Sequence, residues 1–265
     1  QTTYNRGAFF QNQIEIFEGL NWTAGLRYDR HSAFGVHYTY RSTLSYNLEE
    51  IGTRLHGSWG KGFRAPSINE LFFPDFGNPG LNPEESKGWD VGIEKTIIEN
   101  KLIFDVTYFE NDFTDLITSA IQPDGSFMAE NVSKAEAEGF ESMLTFKPYS
   151  KIALIGTYTY TDTTDREKDD QLPRRPSNRA SLSLNTQPLK KLNLNLTGIM
   201  VRDRIDSDGT DMEDYWTANL TTKYAFTELL TGYLRFENLF DRDYEEVTGF
   251  DTLDMTVYGG VDFTF

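Results

Sequence analysis

Chemistry in this sequence has few places to reside. The chain has three histidines and no cysteine. His31 and His37 flank a short Ser32–Gly35 turn, and His56 lies inside an apolar/polar alternating stretch. No His/Cys/Asp/Glu set at metal-ligand spacing accompanies them, so they read as loop and wall residues rather than a metal centre. No serine has a histidine and an acid in local support, which leaves a hydrolase without a nucleophile–base pair. The run Asp206-Ser207-Asp208-Gly209-Thr210-Asp211 puts oxygen donors on alternate positions around a turning glycine, an arrangement that suits Ca²⁺. Its spacing is not that of an EF-hand, and a solvated acidic loop is the simpler reading. A second acidic loop holds Asp162, Asp165, Glu167, Asp169 and Asp170. Arg174, Arg175 and Arg179 cluster where a polar loop returns to a strand, suited to an anionic ligand group or to lipopolysaccharide phosphates.

What holds these residues is a sequence of period two, the signature of strands. Leu182 and Leu184 alternate with Ser181, Ser183 and Asn185; Leu192, Leu194 and Leu196 alternate with Asn193, Asn195 and Thr197. The alternation predicts roughly 13 strands, near 5–17, 20–32, 35–46, 51–63, 86–98, 101–118, 134–147, 151–162, 177–187, 191–203, 214–225, 229–240 and 253–265. Tight breaks fall near Glu18–Leu20, Asn47–Glu50, Glu99–Asn100, Pro148–Ser150, Pro188–Lys190 and Ala225–Glu228. Longer polar connections, Ala65–Glu85, Ile121–Ser133, Thr163–Pro176, Arg204–Glu213 and Asp241–Thr252, alternate with them, the Ser32–Gly35 turn excepted. Short turns on one rim and long loops on the other characterise an outer-membrane barrel with extracellular long loops; a soluble β-sandwich has no reason to segregate its loops.

Composition agrees. Aromatics make up 14% of a chain with net charge −16. Alternating lipid-facing and lumen-facing residues reconcile many aromatics with overall polarity, and strand-end aromatics such as Tyr108, Tyr160 and Trp216 fit interfacial girdles. The acidic balance argues against nucleic acid. No stretch approaches the ~18 apolar residues of a membrane helix. No basic segment followed by an apolar one opens the sequence, so no signal peptide is expected. Bacterial barrels have even strand counts. An odd count, with QTTYNRGAFF already strand-like, predicts a partial barrel completed by other strands, with Gln1 on the extracellular side.

Five stretches carry a family resemblance: AGLRYDRHSAFG (24–35), WGKGFRAPSINELF (59–72), NPGLNPEESKGWDVGIE (78–94), NVSKAEAEGFE (131–141) and ENLFDRDYEEV (237–247), with the chain closing on YGGVDFTF. In this order and spacing the chain resembles the C-terminal part of the barrel of TonB-dependent outer-membrane receptors. The resemblance implies an all-β, antiparallel up-and-down transmembrane β-barrel over 1–265, roughly 13 of about 22 strands, with the plug domain absent. It implies bacterial outer-membrane localisation, contact with lipid and lipopolysaccharide, TonB as partner through the missing plug, and active transport of a large scarce nutrient. Residues 24–35 and 59–94 are closest to the cobalamin-receptor branch; a ferric-siderophore receptor is the alternative, and a passive channel a more distant one. Haem receptors typically place a histidine between the FRAP and NPxL boxes, and Ala65–Gly77 contains none. The expected ligand contacts are Phe63, Arg64, Phe72, Phe73, Arg174 and Arg175, and the expected Ca²⁺ ligands Asp206, Asp208 and Asp211.

Overall fold

In a computed structural model describing residues 3–265, the chain runs almost wholly as antiparallel strand. The elements in chain order are β1 (Asn5–Phe17), β2 (Leu20–His31), β3 (Gly35–Leu48), β4 (Thr53–Arg64), the helix α1 (Ile68–Phe72), β5 (Glu84–Ile98), β6 (Leu102–Ile121), β7 (Phe127–Tyr149) and β8 (Ile152–Asp165). They continue with β9 (Asp170–Gln171), β10 (Asn178–Leu189), β11 (Leu192–Arg202), β12 (Arg204–Ile205), β13 (Asp211–Met212), β14 (Tyr215–Ala225), β15 (Leu230–Glu237), β16 (Glu245–Val247), β17 (Phe250–Asp251) and β18 (Thr256–Phe263). Thirteen of these form one up-and-down path, β1-β2-β3-β4-β5-β6-β7-β8-β10-β11-β14-β15-β18, with β9 added to β8. The path is partial and does not close on itself. The count and the approximate spans agree with those read from the alternation.

Register shows why alternation was so clear. Residues directly opposite in an antiparallel pair share a face. Leu102, Phe146, Leu154, Leu184, Leu196, Leu220, Phe236 and Val257 are opposite one another in turn, an apolar row crossing eight strands. On the other face runs Asn21, Ser45, His56, Gly92, Thr107, Glu141, Thr159 and Arg179. One face is built for hydrocarbon and the other for water. Ion pairs and hydrogen bonds stitch the polar face: Arg54 with Glu94 at 3.1 Å, His56 with Asp105 at 3.0 Å, and the Ser58 hydroxyl to Asp90.

Backbone turns follow residue type. Among the described residues, eight that are not glycine have positive φ; seven are Asp or Asn, which tolerate that region, and the eighth is Arg174 at φ 58°. Gly19, at φ 81°, must be glycine twice over, because a Cβ there would lie 2.6 Å from the Asn47 carbonyl of the next short turn. No described helix is long and apolar enough to cross a membrane.

One expectation fails. Ile121–Ser133 is not a long loop. β6 and β7 stay paired out to Ile121 opposite Phe127, leaving a turn of five residues between them. The extension is sustained because the connection before it packs on it. Leu71 and Leu81 of residues 65–83 bury against Ala129, flanked by Phe34, Phe76 and Ile117. A polar, interrupted sequence read as loop therefore gains its partners from a distant segment. Two of the remaining long connections carry short hairpins, β12 with β13 and β16 with β17, and a third carries β9 against β8.

Candidate functional site

Arg64 ends β4 where the chain leaves the wall. Its Nε and Nη2 donate to Glu84 at 2.5 and 3.0 Å, and its Nη1 donates to both oxygens of Glu70 at 3.0 Å. A planar guanidinium suits the two-nitrogen fork on Glu84, with Nη1 left to reach Glu70. Glu84 begins β5, so Arg64 ties together the two ends and the helix of residues 65–83. The Glu84 and Glu70 carboxylates raise the Arg64 guanidinium above its already high range, Glu84 most. Arg64 thus latches its own loop. Phe63 is not a loop aromatic either: it lies in β4 and stacks on His37, with ring centroids 3.6 Å apart.

The helix α1 forms because Ser67 and Glu70 make a capping box. The Ser67 hydroxyl accepts from the Glu70 N–H at 3.2 Å and the Glu70 carboxylate accepts from the Ser67 N–H at 2.6 Å. Burial pushes the Glu70 carboxyl up, but hydrogen bonds from Ser67 and Arg64 outweigh it and hold the group below the usual range. Leu71 faces the small core, while Ile68, Phe72 and Phe73 stay exposed. Below the helix, Asn78 donates to the Ala129 carbonyl at 3.0 Å, and Asn131 exchanges hydrogen bonds with the Asn82 backbone at 2.8 and 3.1 Å. Two neighbouring apolar rings are therefore presented on a braced platform.

The acidic run around Asp206 does something other than gather its carboxylates. Asp206 is buried, and its Oδ1 accepts from Arg174 Nε at 2.6 Å and Ser207 N at 2.6 Å. Its Oδ2 accepts from the Thr248 N–H at 2.9 Å. Burial raises the Asp206 carboxyl; the hydrogen bonds from Thr248, Ser207 and Arg174 outweigh it and hold the group far below the usual carboxylate range. Asp208 turns inward on its own loop to accept from Thr210 N and Oγ1. Among the described residues no group of three His, Asp or Glu side chains is arranged to hold a metal. Sequence spacing suggested Ca²⁺ because alternate aspartates are all it registers; the structure gives Asp206 protein donors instead.

Asp206 thereby joins three loops: residues 166–177 through Arg174, its own 203–214, and 238–255 through Thr248. Arg204 makes a second joint. It is 5% exposed, donates to the Glu213 and Glu245 carbonyls, and lies over the Tyr215 ring at 4.8 Å. Tyr215 in turn stacks on Tyr244 at 4.3 Å. The left-handed backbone of Arg174 is held by its N–H to the Ile205 carbonyl at 2.7 Å as well as by Asp206. Asn238, also buried, closes the base of the last loop through the Arg242 and Leu253 carbonyls. Of these, Arg204 escaped sequence reading: an arginine beside acidic residues carries no mark that it will be buried.

Arg175, with Arg179, borders a cavity of about 500 Å³ on the polar face, together with Glu84, Glu141, Phe113 and Leu172. Of the expected ligand contacts, then, Arg64 and Arg174 hold loops, Phe63 stacks on His37, Phe72 and Phe73 are exposed, and Arg175 borders the cavity.

The sequence pattern of the TonB dependent receptor-like β-barrel matches residues 1–239. The chain belongs to that family. Its members are transporters and receptors of the outer membrane. Over 223 residues the chain is 32% identical to the vitamin B12 transporter BtuB of Vibrio vulnificus, covering 84% of this chain and 36% of that protein. It is 27% identical over 267 residues to BtuB of Photobacterium profundum, covering 97% and 43% respectively. The chain thus spans about two fifths of the curated relatives it matches. Among solved structures, the ferric enterobactin receptor PfeA of Pseudomonas aeruginosa superposes with a TM-score of 0.78 at 22% identity, over 99% of this chain and 45% of that one. The copper transporter OprC gives 0.80 at 20% identity, over 99% and 48%. At such identities these two share the fold. Sequence alone had led to the same family.

Proposed function

We propose that this chain forms part of the wall and the extracellular rim of an outer-membrane active transporter for cobalamin, energised through TonB. The observation that carries the choice of ligand is the 32% identity to a vitamin B12 transporter over 84% of the chain. The apolar row faces lipid, and the rim with its long loops faces outward, toward lipopolysaccharide. Ligand meets the exposed rings of Phe72 and Phe73 and the cavity beside Arg175, while Arg64 and Arg174 fix the loops that present them. A lumen-filling plug, outside this chain, supplies the TonB contact. Apolar rings suit the flat faces of a large, mostly uncharged macrocycle.

The test is equilibrium binding by the full-length protein in detergent, with cyanocobalamin set against a ferric catecholate siderophore. Tight cobalamin binding, weakened about tenfold by Phe72→Ala with Phe73→Ala, is expected. Siderophore binding without cobalamin binding overturns the ligand assignment and leaves the family untouched.

A further inference from the structure

On the apolar side of the wall, across β3, β4 and β5, the surface is not smooth. A groove of about 690 Å³ runs there, bordered by Leu44, Leu55, Trp59, Trp89 and Val91, with Gly57 as its bare floor. Register puts these residues on the hydrocarbon face. Leu44, Gly57, Val91 and Tyr108 are opposite one another in turn, and Tyr108 shares a face of β6 with Leu102 of the apolar row. At the long-loop end Trp59 lies opposite Trp89, with Tyr40 and Tyr108 packed on either side at 4.8 and 5.5 Å between centroids. Such a row marks the boundary between hydrocarbon and head groups.

The two ends of the groove differ in charge. Two residues beyond the tryptophans, on the same face, Lys61 lies directly opposite Lys87. Like charges so placed repel. Glu85 relieves Lys61 at 2.8 Å, whereas exposed Lys87 has no ion-pair partner among the described residues, Asp112 opposite it on β6 included. Farther along, Glu110, Glu138 and Asp162 make that face acidic over β6–β8, which confines an anion to β4 and β5. At the short-turn end stand the exposed Glu18, Glu49 and Glu50, and the Lys95 ammonium is turned onto the Ile51 carbonyl and the Thr53 hydroxyl. From Leu55 to Trp59 the groove runs about 13 Å along the strand. An apolar channel of that length, topped by cations, suits an acyl chain whose head carries phosphate. A soluble anion gains nothing from the channel, and a neutral lipid nothing from the lysines. The acidic short-turn end turns the head toward the long loops.

We infer that this groove is a specific seat for the lipid A end of lipopolysaccharide, with an acyl chain lying between Leu44 and Val91 and a phosphate on Lys61 and Lys87. The seat rests on the proposed function only for the hydrocarbon face and for the leaflet that the long-loop rim meets. The plug fills the other face of the wall, and failure of cobalamin binding would leave the seat standing.

The experiment is native mass spectrometry of the full-length protein, delipidated in detergent and then mixed with phosphorylated lipid A. Dephosphorylated lipid A and phosphatidylglycerol are the comparison lipids. Phosphorylated lipid A is expected to be retained as a single adduct, and the other two about tenfold more weakly. Lys61→Gln with Lys87→Gln should weaken retention about tenfold, and the same two positions as arginine should keep it, because a guanidinium also pairs with phosphate. Val91→Trp, which fills the groove without altering a charge, should weaken it as well; Leu184→Trp, on the same face away from the groove, should not. Equal retention of either comparison lipid, an unaffected double glutamine variant or an unaffected Val91→Trp overturns the seat. Cobalamin binding by the same samples is a separate readout, and its absence overturns the ligand assignment alone. A full-length protein that stays soluble without detergent overturns the membrane reading and the seat with it. A heat-modifiable gel shift retained by each variant shows that the barrel has formed.

Discussion

Replacing Asp206 by alanine should release two loops that the substitution does not touch. Asp206 accepts one hydrogen bond from its own loop and two from outside it, Arg174 Nε at 2.6 Å and Thr248 N at 2.9 Å. Its side chain is 6% exposed and that of Arg174 30%, so little solvent screening applies to the carboxylate. A hydrogen bond to a charged group contributes roughly 1.5–3 kcal/mol. The Arg174 bond belongs at the lower end because that partner is partly wet. Together, and allowing for non-additivity, the loss is about 3 kcal/mol, or about 150-fold in the opening equilibrium. Hydrogen–deuterium exchange of the full-length protein in detergent reads this directly as lost protection. Peptides from 166–177 and 238–255 should exchange about 100-fold faster in Asp206→Ala, while the β10–β11 wall is unchanged. The pH dependence has a definite sign. The folded carboxyl lies far below its unfolded value, so the joint is at full strength above about pH 4. It weakens only as pH falls further, through the depressed folded value. A change confined to residues 203–214, or loosening already between pH 5 and 6, would refute the joint.

Three further outcomes follow from the same geometry. Arg64→Ala should raise the protease sensitivity of residues 65–83 by about tenfold, and Arg64→Lys should restore little of it, since a point charge cannot fork Glu84 and hold Glu70 together; limited proteolysis in intact cells checks this. Gly77→Ala should detach α1 and lower ligand affinity with the barrel intact, because a Cβ there would lie 2.6 Å from the backbone nitrogens of Phe72 and Phe73; a gel shift with a binding isotherm separates the two effects. Leu196→Arg should cost about 2–4 kcal/mol of folding in lipid, as a charge on the hydrocarbon face, while Asn195→Arg on the polar face costs far less; denaturant titration in liposomes decides it, and equal costs would reverse the assignment of faces.

The wall was legible because its physics is local. A strand between lipid and water must alternate, and Leu192–Leu196 against Asn193–Thr197 says so without reference to neighbours. The turns were legible for the same reason, through Gly19 and Asn100 at positive φ. The rim was not, because its structure depends on contacts between distant segments. Ser67 and Glu70 announce a helix start, yet nothing in Leu71 foretells that it will meet Ala129. Sequence shows the charges of Arg64 and Arg174 and not that they face Glu70, Glu84 and Asp206. It shows Asp206, Asp208 and Asp211 on alternate positions and not that the first of them faces Arg174 and Thr248.

The two halves of the rim are stiffened by different means, and the difference bears on how a ligand is held. Residues 166–177, 203–214 and 238–255 are joined by buried charge through Asp206 and Arg204. Such joints are directional and break as a unit when one partner is withdrawn. Residues 65–83 lean on a small apolar cluster and an exposed guanidinium latch, contacts that yield by degrees. The half that carries Phe72 and Phe73 is therefore the more compliant one, and it is braced on the extended β6–β7 hairpin rather than on the three joined loops. Adjustment of the rim to a bound ligand should begin in residues 65–83 and reach the β6–β7 turn through Ala129 and Asn131, leaving the joined loops as a fixed frame. Exchange protection gained on ligand binding should then be largest in 65–83 and 122–131 and small in 203–214. The opposite order would mean that the joined loops, and not the platform, close over the ligand.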